Sequence, residues 1–348
     1  MKKILVIFLL PQLIFAELVL EITQGSDDPY VIALLDFDGD EIIAKQITEI
    51  VNNDLNRTGE FKIISKEKLL SSPKSEEEIN FNDFKLLNID YIVIGALDSE
   101  DQFNLSVSYQ IFSVLNENKI RTSKVLGIPN KIKQLAHYIS DGIYEEVTGL
   151  KGVASTKILY VSEQEENNKS LYQLVVADAD GANEQILLKS YEPIISPAWS
   201  PDSKEIAYVS FEEGTSRIFL QELSSAKRKG LKLEEGINSS PNWSPNGDMI
   251  SAVLSKSGNP DLFIYDLEQS SWTQITKHFG IDTEPDWSPD SRSLLFTSNR
   301  SGSPQIYEAN IKNNRIKRLT FEGTYNARAR YLPDGKGIVF VHRRNGVF

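Results

Sequence analysis

Pro285-Asp286-Trp287-Ser288-Pro289-Asp290-Ser291 repeats a phrase that occurs earlier as Pro197-Ala198-Trp199-Ser200-Pro201-Asp202-Ser203 and as Pro241-Asn242-Trp243-Ser244-Pro245-Asn246-Gly247. The tryptophans are 44 residues apart in both intervals, 199 to 243 and 243 to 287. A fourth copy, Arg330-Tyr331-Leu332-Pro333-Asp334-Gly335, keeps the interval with Tyr331 in place of Trp. Proline at the second position of Ser-Pro-Asp-Ser presets φ near −65°, and Ser, Asp and Gly suit the other turn positions. The phrase therefore reads as a hairpin corner, with Asp202, Asp290 and Asp334 as turn caps and the tryptophans as packing between neighbouring units.

Short β-type runs follow each corner, at Glu205 to Ser210, Met249 to Leu254, Leu294 to Ser298 and Ile338 to His342. After a Gly-containing turn come second runs, including Arg217 to Gln221, Leu262 to Asp266 and Gln305 to Ala309. Lys157 to Ser162 matches the first of these runs from 48 residues upstream and is followed by Leu171 to Asp178, so the array begins near residue 151. Several short strands per unit at this period predict propeller blades, four-stranded sheets that bury their faces only against one another.

Residues 17–150 show no repeat and mix helical with strand patterns, which predicts a separate α/β domain. Asp40 is placed to cap a helix carrying Ile43, Ile47, Ile50, Val51 and Leu55, with Gly59 as its stop. A second helix opens at Pro129, carries Ile132, Leu135, Ala136, Ile139, Ile143 and Val147 on one face, and stops at Gly149. Phe61 to Ser65, Tyr91 to Leu97 and Asn104 to Val114 read as strands, and Ser71 to Asn80 as a loop. In front of this domain, Lys2-Lys3, the apolar Ile4 to Leu10 and the small Ala16 read as a signal peptide over residues 1–16. The expected architecture is multidomain: signal peptide, α/β domain over 17–150, all-β propeller over 151–348.

A formal net charge of −12 disfavours nucleic acid and anionic lipid surfaces as partners, and the chain has no cysteine for a disulfide or a thiol nucleophile. The three histidines, His137, His278 and His342, stand at no ligand-like spacing, and neither a Gly-x-Ser-x-Gly elbow nor a phosphate-binding glycine loop occurs. Glu165-Glu166 and Glu234-Glu235 lie in polar, turn-like stretches. These readings predict no catalytic residue, no metal and no cofactor. A propeller without catalytic groups offers its funnel-shaped ends to another protein, so binding is favoured over catalysis.

The sequence resembles the periplasmic TolB family of the Tol-Pal system. The likeness is carried by Ser196 to Asp202 with Ala207-Tyr208-Val209, by Thr283 to Ser291 with Phe296-Thr297-Ser298, and by Val147-Thr148-Gly149-Leu150-Lys151-Gly152 at the domain junction. The resemblance implies a monomeric, non-enzymatic periplasmic adaptor that supports outer-membrane invagination during cell division and envelope integrity. It implies that the lipoprotein Pal binds the propeller mouth at the loops before the Trp strands, here Ile237, Asn238, Ser239, Ser240, Asp282, Thr283 and Glu284. It also implies that TolA binds the N-terminal segment Glu17, Leu18, Val19, Leu20, Glu21, Ile22, Thr23, Gln24, Gly25, Ser26, Asp27 and Asp28. Other outer-membrane proteins are further partners it allows.

Family propellers have six blades, which from residue 151 would run to about residue 414 at this period. The sequence stops at Phe348, inside the fifth unit, so about four and a half blades are expected here. The alternative reading is the propeller of an exported prolyl-oligopeptidase-like hydrolase, which shares the Ser-Pro-Asp corner and needs an α/β-hydrolase domain. A carbohydrate-binding or lyase propeller would need convergent acids or histidines in the funnel.

Overall fold

The computed structural model describes residues 28–100, 104–344 and 346–347, so residues 1–16 and all of Glu17–Asp28 except Asp28 lie outside the described residues. The chain divides into two compact units, residues 1–155 and 156–348.

The first unit is built on β1 (Tyr30–Leu34), α1 (Glu41–Arg57), β2 (Phe61–Ile63), α2 (Phe81–Lys85), β3 (Tyr91–Glu100), β4 (Leu105–Ser113), β5 (Asn118–Gly127) and α3 (Ile132–Thr148). Its sheet has the order β2-β1-β3-β4-β5, with β1 parallel to both neighbours and β3, β4 and β5 antiparallel. As predicted, the Asp40 carboxylate caps α1 by accepting from the Ile42 and Ile43 amides, and α3 ends on Gly149 in a left-handed conformation, φ 74°. Pro129 opens a short 3-10 turn, Pro129–Lys131, that leads into α3.

Ile47, Val51 and Leu55 of α1 and Leu135, Ile139 and Ile143 of α3 bury against Ile32, Val93, Val107 and Ile111 of the sheet. On the other face Ala33, Ile92, Ile94 and Phe112 pack with Phe84 of α2 and Ile89. The two helices are also joined by a polar tie. Buried Asp54 of α1 accepts from Ser140 Oγ at 2.7 Å and lies 2.6 Å from His137 Nδ1, both on α3, so this histidine has a structural partner.

The second unit is a succession of antiparallel sheets. The first is β6 (Lys157–Glu166), β7 (Lys169–Asp178) and β8 (Gln185–Ser190). The second is β9 (Ile194–Trp199), β10 (Glu205–Ser210), β11 (Arg217–Glu222) and β12 (Arg228–Gly230). The third comprises β13 (Asn238–Trp243), β14 (Met249–Leu254), β15 (Asp261–Asp266) and β16 (Ser271–Gln274). The fourth comprises β17 (Asp282–Trp287), β18 (Ser293–Ser298), β19 (Gln305–Asn310) and β20 (Ile316–Arg318), and the last pairs β21 (Asn326–Tyr331) with β22 (Ile338–His342).

The Ser-Pro-Asp phrase is the corner between the first two strands of a blade. Ser200 Oγ donates to Asp202 and accepts from the Glu205 amide, and Ser288 Oγ does the same with Asp290 and Ser293. Ser203 and Ser291 close the turn at φ 58°, where the copy around Trp243 places Gly247. The Lys204 amide and the Ser200 hydroxyl hold the Asp202 carboxyl below its usual range, as expected of a cap rather than a reacting group.

Each corner tryptophan packs against the preceding blade. Trp243 meets Ala207, Val209, Ile218 and Leu220, and Trp287 meets Val253, Leu262 and Ile264. Tyr331 occupies the same place against Leu295 and Ile306. Apolar faces shared in this way make each sheet depend on its neighbours for burial.

Candidate functional site

The first strand of each blade, β9, β13, β17 and β21, carries a bulge at the same point of the repeat. Pairing with the next strand skips residues 196–197, 240–241, 284–285 and 328–329. The first residue of each pair is left-handed, Ser196 at φ 53°, Ser240 at 51°, Glu284 at 56° and Arg328 at 54°. Pro197, Pro241 and Pro285 follow directly. A proline offers no N–H, so it fits where the ladder is already interrupted. Left-handed backbone at non-glycine residues is strained, and such strain collects where side chains are aimed for function.

These residues aim into one cavity of about 520 Å³ lined by all four strands. It has two tiers, Ser196, Ser240, Glu284 and Arg328, then Ala198, Asn242, Asp286 and Arg330. Small neutral groups from the second and third sheets thus face charged groups from the fourth and fifth. Glu284 Oε1 accepts from Arg328 Nε at 2.9 Å, while its other oxygen accepts from Thr297 Oγ1 and the Arg328 amide. Asp286 accepts from the Tyr331 amide at 2.9 Å and from Asn242 Nδ2 at 3.2 Å, with Arg330 Nε 3.6 Å away.

Burial raises the Asp286 carboxyl above its usual range, and these donors offset it only in part. A carboxyl whose folded-state value is raised binds its proton more tightly when folded, so its contribution to stability is lost as pH rises through that value. Asp286→Asn is therefore expected to gain in melting temperature relative to the parent chain as pH is raised from about 4 to 7. Thermal melts across that range check it.

At one end of the cavity, the loops entering the inner strands form a rim of exposed apolar side chains. Phe279 is 86% exposed and Phe321 73%, and Tyr191, Leu233, Ile237 and Ile281 are also exposed. Ile237 and Ile281 are one period apart, as are Glu284 and Arg328. Exposed aromatic and aliphatic groups of this kind are what protein interfaces bury at their centre.

The residues expected at the mouth divide by direction. Ile237 is on the rim, Ser239 is half-buried beneath it, and Ser240, Thr283 and Glu284 line the cavity. Asn238 and Asp282 do not reach a partner surface, being 2% and 0% exposed. The amide of Asn238 holds its own loop by donating to the Glu234 and Gly236 carbonyls, and Asp282 pairs with Arg300 at 2.6 Å. The sequence reading missed Phe279, Phe321, Arg328 and Arg330, although shifting Glu235, Glu284 and Asp286 by one period leads to three of these positions or to their loops.

Comparison with known proteins assigns both units to one family. The family model of the TolB beta propeller domain matches residues 144–348, and that of the TolB amino-terminal domain matches residues 18–120. The Tol-Pal system protein TolB of Alcanivorax borkumensis is 42% identical over 226 residues, which cover 65% of this chain and 52% of that one. Its counterpart in Hydrogenovibrio crunogenus is 37% identical over 69% of this chain and 58% of its own length. This chain thus spans little more than half the length of these relatives. The crystal structure of TolB from Acinetobacter baumannii superposes with a TM-score of 0.86 at 37% identity, covering 94% of this chain and 80% of that one. With models matching both units, the chain belongs to the TolB family of the Tol-Pal envelope system, whose named members are system proteins rather than enzymes.

Proposed function

We propose that the chain is a periplasmic adaptor of the Tol-Pal system, binding Pal at the propeller mouth and TolA through Glu17–Asp28. In this role it supports outer-membrane invagination during division and keeps the envelope intact. The observation that carries the reading is the rim, where Phe279, Phe321, Ile237 and Ile281 stand exposed around a cavity lined with charged groups. Membership of the family supports the choice of system, and the signal-like residues 1–16 support the periplasm. Among the described residues no helix is long and apolar enough to cross a membrane, consistent with contact to membranes through partners.

Aromatic anchors at the centre of an interface commonly carry about 2 kcal/mol or more each. Phe279→Ala is accordingly expected to weaken binding of the soluble domain of Pal about thirtyfold, measured by calorimetry, with an unchanged melting curve. Unchanged affinity would remove the mouth from the interaction. Deleting Glu17–Asp28 is expected to abolish capture of TolA while leaving both the melt and Pal binding intact. A deletion that unfolds the chain would make the segment a structural element instead.

A further inference from the structure

The blade period is not uniform. β10, β14 and β18 begin at 205, 249 and 293, each 44 residues after the last, but β6 begins at 157, which is 48 residues before β10. Cross-strand pairing shows where the four extra residues go. Ser210 pairs with Arg217, Leu254 with Asp261 and Ser298 with Gln305, seven residues on in every case. The equivalent Ser162 pairs with Gln173, eleven residues on. The whole insertion therefore lies in the β6–β7 hairpin.

It continues the ladder rather than looping out. Glu163 pairs with Tyr172, Gln164 with Leu171, Glu165 with Ser170 and Glu166 with Lys169. Asn167 and Asn168 close the hairpin, both left-handed at φ 53° and 59°, the combination that a two-residue type I′ turn requires. Four further pairs extend the hairpin by about 13 Å at the usual rise per residue.

The extension stands on the rim. In the next three blades the segment after the second strand lies beside the loop entering the first, since the Phe211, Ser255 and Asn299 amides donate to the Pro193, Ile237 and Ile281 carbonyls. In the first blade the Tyr191 hydroxyl, on the rim, donates to Glu166 at 2.7 Å and moors the hairpin there. Insertions in repeat folds collect on loops of one face, often the binding face. This one is acidic. Glu163, Glu165 and Glu166 are exposed and only Lys169 opposes them.

We infer that the β6–β7 hairpin is an accessory contact of the mouth, fitted to a partner whose interface carries a lysine- or arginine-rich edge beside the apolar surface seated on the rim. The inference rests on the reading that Pal binds at the mouth, and Pal is the occupant it specifies. Charges at the edge of an interface act mainly on the association rate and its salt dependence.

The test is stopped-flow association of the full chain with the soluble domain of Pal from the same organism, at low and physiological salt. Three variants are compared: E163K/E165K/E166K, a chain whose residues 163–172 are replaced by Ser255–Pro260, the equivalent loop without a carboxylate, and Phe279→Ala. Both hairpin variants should associate about tenfold more slowly at low salt and lose most of the salt dependence, with melting curves unchanged. If both associate as the parent does while Phe279→Ala still binds weakly, the accessory contact is wrong and the mouth reading stands. Faster association of the lysine variant would show that the partner's edge is acidic, and would overturn the inference. If Phe279→Ala and both hairpin variants all bind like the parent, the mouth reading itself fails.

Discussion

Arg300→Ala is expected to destabilise the propeller unit by about 3–5 kcal/mol, because it leaves Asp282 buried without a countercharge. Arg300 Nη2 donates to Asp282 Oδ2 at 2.6 Å, and its guanidinium lies 5.1 Å from the Phe296 ring centre and 5.0 Å from that of Tyr307. Asp282 is fully buried, and its Oδ1 already has no hydrogen-bond partner among the described residues. The repeat supplies a rescue. One period before and one after Asp282, the same place is held by Asn238 and Asn326, whose amides donate to the carbonyls of their own loops. Asp282→Asn in the Arg300→Ala background should recover much of the loss, whereas two independent losses would add. Urea unfolding of the two single variants and the double variant measures this, and additive effects would show that the pair is not the source of the cost.

Trp287→Ala is expected to cost about 3–5 kcal/mol, the range for emptying a buried aromatic site. Its indole fills the space against Val253, Leu262 and Ile264 of the preceding blade, and its Nε1 donates to the Asn242 carbonyl at 3.0 Å. Trp243 holds the equivalent position, but its Nε1 has no partner among the described residues. Phenylalanine at the two sites should therefore separate the packing from the hydrogen bond. Trp287→Phe forfeits a bond worth about 1 kcal/mol that Trp243→Phe does not, so the second substitution should be the milder. Equal costs in denaturant titrations would mean that the indole N–H of Trp287 contributes nothing.

The propeller was legible because each blade reuses one corner, and the corner needs Pro, Ser and Asp at fixed offsets for reasons of backbone conformation. The two long helices of the first unit, α1 and α3, were equally plain, since Asp40, Pro129 and Gly149 mark their limits. Three elements of that unit escaped. β5 is an edge strand whose Lys119, Arg121 and Lys124 blur the alternation, β1 is five residues long and entirely apolar after Tyr30, and α2 has a single buried residue, Phe84. The site was harder. Placing the loops by one period put Asn238 and Asp282 at the expected mouth, yet direction along an inner strand follows its bulge. A bulge shifts the alternation of faces, so Ser240 and Glu284 turn to the cavity while the strand-opening residues turn to the core. The rim aromatics come from loops with no corner phrase of their own, and nothing in their composition sets them apart.

The bulged inner strands have one further consequence. Four stretches of nearly identical backbone would present a docking molecule with several orientations related by rotation through one blade. The side chains remove that equivalence, because serine at 196 and 240 stands against glutamate at 284 and arginine at 328. A fold of approximate rotational symmetry thereby loses its symmetry at the cavity wall, with ion pairs on the strands of two sheets and small neutral groups on those of the other two.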